Sequence, residues 1–214
     1  MMESRSEVRI KAGRVSLRGN ISLPKLERGP MVIFAHGSGS SRLSPRNSYV
    51  ADVLHGVGLG TLLFDLLTEE EDQTYENRFN IELLAERLQT ATAWVEEKFQ
   101  GKKLHIGYFG ASTGAAAALI ASAILGGERI SAVVSRGGRP DLAGPYLSKV
   151  VVPTLLIVGG NDDQVLELNR EALAQMPSKS KQLVVIPGAT HLFEETGTLE
   201  QVAKSAADWF LKYL

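Results

Sequence analysis

The chain has 214 residues, 44% apolar and 22% charged, which excludes a disordered, collagen-like or disulfide-stapled polypeptide and fits an ordinary globular protein. With 23 Lys plus Arg against 24 Asp plus Glu the formal net charge is -1, so no overall field attracts nucleic acid or an anionic membrane. The absence of cysteine excludes a disulfide framework, a thiolate metal site and a cysteine nucleophile, and it fits a reducing, cytoplasmic setting. Residues 1–7 are too charged for the apolar core of a secretory signal.

At the N-terminus Val8, Ile10, Val15, Leu17, Ile21 and Leu23 alternate with polar residues around Ala12-Gly13-Arg14, the pattern of an antiparallel hairpin with one buried face. Short continuous β-type runs follow at Met31 to Ala35, Gly60 to Phe64, Leu104 to Phe109, Ile130 to Ser135, Thr154 to Val158 and Leu183 to Ile186, as expected of strands buried on both faces. Helical spacing separates them, most clearly at Ile81, Leu84, Leu88, Ala91 and Val95 and at Leu199, Val202, Ala206, Phe210 and Tyr213. Thr198 with Gln201 matches a capping box, and Gly126-Gly127 should stop the alanine-rich helix that begins near Ala115. The acidic run Thr68 to Asp72 reads as a solvated loop.

The expected architecture is a single α/β domain over residues 1–214, an eight-stranded, mostly parallel sheet with helices on both faces and an antiparallel N-terminal hairpin. The uncharged stretch Ile106 to Gly127 is long enough to cross a bilayer, but its β-type start, glycines and alanine-rich end describe a strand, a tight turn and a buried helix. Gly56-Val57-Gly58-Leu59-Gly60 is not a dinucleotide-binding turn, because its glycines end a helix and begin a strand. The four histidines are too scattered for a zinc site, so neither metal nor cofactor is expected.

Ligands of parallel sheets bind at the carboxyl ends of the strands, where this chain concentrates polar groups flanked by glycine. Gly110-Ala111-Ser112-Thr113-Gly114 is a Gly-x-Ser-x-Gly run between a strand and a helix, whose glycines permit a turn tight enough to project the Ser112 hydroxyl. A helix-capping serine is the alternative use of that residue. A serine nucleophile needs an imidazole base oriented by a carboxylate. His105 lies in a strand and His55 in an apolar helical run, while His36 opens the loop His36-Gly37-Ser38-Gly39-Ser40 and braces it. His191, on the turn after the last strand, is therefore the candidate base. Asp162 is preferred over Asp163 as the carboxylate, since Asp163 is placed to begin the next helix. Ser112, Asp162 and His191 then occur in the order nucleophile, acid, histidine. Amides of Thr113 and Ser38 are the candidate oxyanion donors.

These four motifs, the His36 to Ser40 loop, the Gly110 to Gly114 elbow, the Gly159 to Val165 acid loop and the Pro187 to His191 turn, resemble those of a small α/β-hydrolase of the dienelactone-hydrolase-like branch. The resemblance covers essentially the whole chain, with two departures. Dienelactone hydrolases proper use a cysteine where this chain has Ser112, which points away from dienelactone itself. Many relatives insert a helical cap after the sixth strand, whereas the segment between Arg136 and Pro153 has room for one short helix and no lid. The resemblance implies a serine hydrolase that cleaves a small carboxylic ester or lactone through an acyl-enzyme. A non-catalytic receptor on the same fold, or an acyltransferase or thioesterase using the same residues, are the alternatives. Arg42, Arg46, Arg136 and Arg139 could ring the mouth and hold a substrate carboxylate, or could pair with loop acids such as Asp65, Asp141, Glu194 and Glu195. Phe193, Tyr146 and Leu66 would add apolar walls or pack in the core.

Overall fold

The computed structural model describes residues 5–23, 29–99 and 104–214. Its strands are β1 (Ser6–Ala12), β2 (Val15–Ser22), β3 (Met31–Ala35), β4 (Gly60–Phe64), β5 (Ile106–Ala111), β6 (Ala132–Arg136), β7 (Thr154–Gly159) and β8 (Lys181–Ile186). They form one sheet in the order β1-β2-β4-β3-β5-β6-β7-β8. The hairpin β1–β2 is antiparallel and joins β4 antiparallel, and every pairing from β4 through β3 to β8 is parallel.

The central strands are apolar on both sides because both sides are covered. Along β3, Met31, Ile33 and Ala35 enter one core while Val32 and Phe34 enter the other. The first core includes α3 (Ile81–Lys98) and α4 (Thr113–Leu125), with Ala172 of α5 (Asp163–Gln175). The second includes α1 (Pro45–Gly56) and α6 (Thr198–Tyr213), which lie against each other. In α4 the residues from Ala115 to Ala118 are fully buried, and their small side chains let this helix sit close to the sheet.

Three local expectations are corrected. The run at Thr68 is not a loop: Glu69–Asp72 forms the short helix α2, closed by reciprocal bonds between the Thr68 and Glu71 side chains and each other's amides. Glu71 then pairs with Arg87 and Asp72 with Arg78, so these acids are tied to neighbouring segments. The capping box at Thr198 does not form, because Gly197 caps α6 in the left-handed conformation and the Thr198 hydroxyl donates to the Glu195 carbonyl. β5 also runs to Ala111, two residues past its expected end, because Gly110 and Ala111 continue the parallel register against Ala35 and Arg136.

Between β6 and β7 lies only a 3-10 segment, Pro140–Lys149, kinked at Gly144, so no helical cap is inserted there. Among the described residues no helix is long and apolar enough to cross a membrane, and Ile106 to Gly127 divides into β5, a turn and α4.

Candidate active site

The chain crosses from one side of the sheet to the other between β3 and β5, and the loops after these adjacent strands meet at a topological switch point. Ser112 stands there, between β5 and α4, with φ 51 and ψ -120. A positive φ is strained for any residue with a Cβ, at a cost on the order of 1–3 kcal/mol that the surroundings must sustain. They do so through a close approach that only glycine permits. A Cβ on Gly110 would lie 2.5 Å from the Ala115 Cα, and one on Gly114 would lie 2.2 Å from the Ala35 carbonyl oxygen. Although Ser112 occupies the N-cap position of α4, its side chain makes no capping bond, which removes the helix-capping explanation for this serine.

Asp162 caps α5, and Asp163 is the first residue of that helix. The Asp162 carboxylate lies 2.7 Å from Nδ1 of His191, whose side chain is partly exposed. This contact separates the two adjacent acids. The acid loop and the histidine turn are joined by backbone bonds from Gly160 to Ile186 and from Asn161 to Ala189, and by the Asn161 amide side chain on the Gly188 carbonyl. On the far side Glu195 accepts both the N–H and the hydroxyl of Thr190, contacts that hold its carboxyl below the usual range. Phe193, two residues past the histidine, is buried with φ 56.

Ser112 and His191 line one pocket of about 200 Å³ together with Gly37, Ser38 and Arg136. Among the described residues no hydrogen bond joins the Ser112 hydroxyl to His191, a looseness common before substrate binds. Thr113 opens α4, where amide N–H groups have no intrahelical acceptor. The Ser38 N–H donates to the Thr113 hydroxyl at 2.9 Å, so the two loops expected to supply oxyanion donors are bonded to each other.

His36 braces its loop. The Leu66 N–H donates to its Nε2 at 3.0 Å, which leaves the proton on Nδ1 to donate to the Gly37 carbonyl. Burial pushes the pKa of His36 below its ordinary value, despite the Gly37 bond and the fields of Asp65 and Asp72.

The four arginines part company. Arg42 is clamped to Asp65 through its backbone N–H and its guanidinium, and Arg139 makes a two-point pair with Asp141. Both thus have carboxylate partners, and neither lines the Ser112 pocket. Arg46 and Arg136 both line it. Phe193 lies under the Arg136 guanidinium at 5.9 Å, while Leu66 is fully buried and Tyr146 packs against the core. Asn47, in the first turn of α1, also reaches Arg136, at 3.4 Å, and carried no recognisable signal in the sequence.

A dienelactone hydrolase of Anabaena variabilis superposes on this chain with a TM-score of 0.92 at 52% identity, covering 99% of this chain and 98% of that one. The protein XC6422 of Xanthomonas campestris, described as an α/β serine hydrolase without lid, superposes at 0.76 with 17% identity over 99% and 96% of the two chains, a likeness of fold alone. A Mycobacterium tuberculosis protein named "putative phosphoribosyl transferase" is 60% identical over 210 residues, which are 97% of this chain and 46% of that protein. The chain thus spans about half the length of that curated relative. The fold is that of the α/β hydrolases. The chain belongs to the dienelactone hydrolase family, whose model matches residues 61–214, and membership supports a hydrolase.

Proposed function

We propose that the protein hydrolyses a small carboxylic ester or lactone by a two-step acyl-enzyme mechanism, with Ser112 as nucleophile, His191 as base and Asp162 as the group that orients the imidazole. The reading rests on one observation above the others: a strained serine without a capping bond shares a pocket with a histidine whose Nδ1 is held 2.7 Å from a carboxylate. In the first step His191 Nε2 takes the Ser112 proton as Oγ bonds to the carbonyl carbon. The tetrahedral intermediate then collapses, and the leaving oxygen departs with the proton that His191 held. In the second step His191 takes a proton from water, the hydroxide attacks the acyl-enzyme, and Ser112 leaves with its proton restored.

The oxyanion of each intermediate is received by the Thr113 N–H at the start of α4 and by the Ser38 N–H, which turns from the Thr113 hydroxyl toward the substrate oxygen or is shared with it. A receptor role would need neither the strain at Ser112 nor the Asp162–His191 contact. The test is hydrolysis of p-nitrophenyl acetate and butyrate by wild type and Ser112→Ala. The variant should stay folded and lose about 10⁴-fold or more in kcat. Equal turnover by the two proteins would refute the assignment of Ser112.

A further inference from the structure

A buried amide outside the catalytic groups reaches them through the backbone. Asn169 lies about two turns past Asp162 in α5 and is fully buried. It shares the buried face of the helix with Val165, Leu166 and Ala172, where a leucine would pack without burying a polar group. Its Nδ2 donates to the Gly138 carbonyl at 2.9 Å and to the Val165 carbonyl at 2.7 Å. Among the described residues its Oδ1 is buried without a partner. An amide left half satisfied in a core is costly, so packing alone does not explain it.

The Gly138 carbonyl belongs to the same peptide unit as the Arg139 N–H, which donates to the Ser112 carbonyl at 3.1 Å. The Ser112 carbonyl belongs in turn to the same unit as the Thr113 N–H, the proposed oxyanion donor. A trans peptide is planar, with its C=O and N–H pointing opposite ways, so fixing one end aims the other. Asn169, the 138–139 peptide and the 112–113 peptide thus form a line that ends at the oxyanion. The Ser112 carbonyl also accepts from Ala115, and the Ser112 N–H donates to the Arg136 carbonyl at 3.3 Å, so the elbow is tied to the 136–139 turn in both directions. That turn lies against the base as well. A Cβ on Gly137 would be 3.0 Å from the His191 carbonyl oxygen and 3.5 Å from the ring carbon Cε1.

We propose that Asn169 is a positioning residue for the oxyanion hole: by holding the Gly138 carbonyl it sets the Arg139 N–H on the Ser112 carbonyl and so aims the Thr113 N–H at the developing oxyanion. The inference rests on the hydrolase reading of the site and adds a residue to it. Each bond in the line also polarises the next, which makes the last N–H a stronger donor. The tetrahedral state gains more from this than the bound ester does, because only there does the oxygen carry the charge.

The test compares wild type, Asn169→Leu and Leu173→Ala. The leucine has the branched shape of asparagine without its donors, and Leu173→Ala removes apolar packing later in the same helix, as a control for lost stability. Three quantities are measured on each: steady-state hydrolysis of p-nitrophenyl butyrate, inhibition by a trifluoromethyl ketone, which a serine converts to a tetrahedral oxyanion adduct, and amide hydrogen exchange at Arg139. Asn169→Leu should lower kcat by about 10-fold or more, weaken the ketone by a similar factor and leave KM within about twofold. Its Arg139 amide should exchange about 10-fold or more faster relative to Phe109 and Val134 in the adjoining strands. Leu173→Ala should lower the melting temperature and leave kcat, ketone affinity and that exchange ratio as in wild type. If Asn169→Leu does not fold, Asn169→Ala, which adds no bulk, takes its place. Unchanged kcat and ketone affinity in the Asn169 variant, equal losses in Leu173→Ala, or a loss of kcat with Arg139 exchange unchanged would overturn the role and leave the hydrolase reading intact. Free exchange of the Arg139 amide in wild type overturns it whatever the variants do. If folded wild type neither turns over the ester nor binds the ketone, the hydrolase reading itself fails and takes the oxyanion role with it.

Discussion

Asp162 Oδ2 lies 2.7 Å from His191 Nδ1, whereas the adjacent Asp163 begins α5 and has no contact with the imidazole among the described residues. In the proposed mechanism this contact orients the ring and leaves Nε2 to transfer the proton. Asp162→Asn should therefore lower kcat by about 10³- to 10⁴-fold with little change in melting temperature, as expected when the orienting acid of such a triad is lost. Asp163→Asn should stay within about threefold, since only a helix-end charge is removed. Equal losses in the two variants, measured by steady-state kinetics on one ester, would contradict the assignment.

The elbow makes a prediction about stability. Gly110 cannot take a Cβ without meeting the backbone of Ala115, so Gly110→Ala should cost about 3 kcal/mol or more in denaturant unfolding. Gly126, at the end of α4, has φ 72 but open space where a Cβ would go. Gly126→Ala should cost less, about 1–3 kcal/mol, the cost of the backbone conformation alone. A reversed order would mean that α4 does not seat against β5 as described.

Thr113 is placed to act through Ser38. Its hydroxyl accepts the Ser38 N–H at 2.9 Å, and Thr113 is buried. Thr113→Val keeps the shape and removes the acceptor, which should cost about 1–3 kcal/mol in stability. It should also lower kcat by about tenfold as the Ser38 loop loses its anchor. Thr113→Ser should restore both. Failure of serine to rescue kcat would show that the hydroxyl does not hold the loop.

His36 carries a pH signature. Its pKa is lowered in the folded protein, so the unfolded chain takes up the proton first as pH falls. Its contribution to stability is complete above the unfolded value of about 6.5 and is lost as pH falls from there through the folded value. The melting temperature of wild type should therefore drop more between pH 7.5 and 5 than that of His36→Gln. Parallel curves for the two proteins would contradict the neutral bracing role.

Where sequence and structure agree, a local physical signal explains why. Met31–Ala35 and Gly60–Phe64 were legible to the residue because strands covered on both faces must be apolar throughout and are bounded by residues that cannot be. Ser112 and His191 could be singled out because glycine-flanked polar residues at strand ends have few other uses, and the structure brings both to one pocket. The partners of the arginines were not legible. Whether Arg42 meets Asp65, or Arg136 meets Asn47 and Phe193, depends on how separate loops come together. The capping box failed at Thr198 and succeeded at Thr68 for a similar reason. The same motif competes with whatever precedes it, and a left-handed Gly197 pre-empted it in α6.

The central claim is that Ser112 is an activated nucleophile, and the most direct measurement is the intact mass of wild type and Ser112→Ala after exposure to a fluorophosphonate. This reagent is attacked by activated serines and leaves a stable tetrahedral adduct. One adduct on wild type and none on Ser112→Ala is the expected result. A folded wild type that gains no mass, or a variant that gains the same mass, would contradict it.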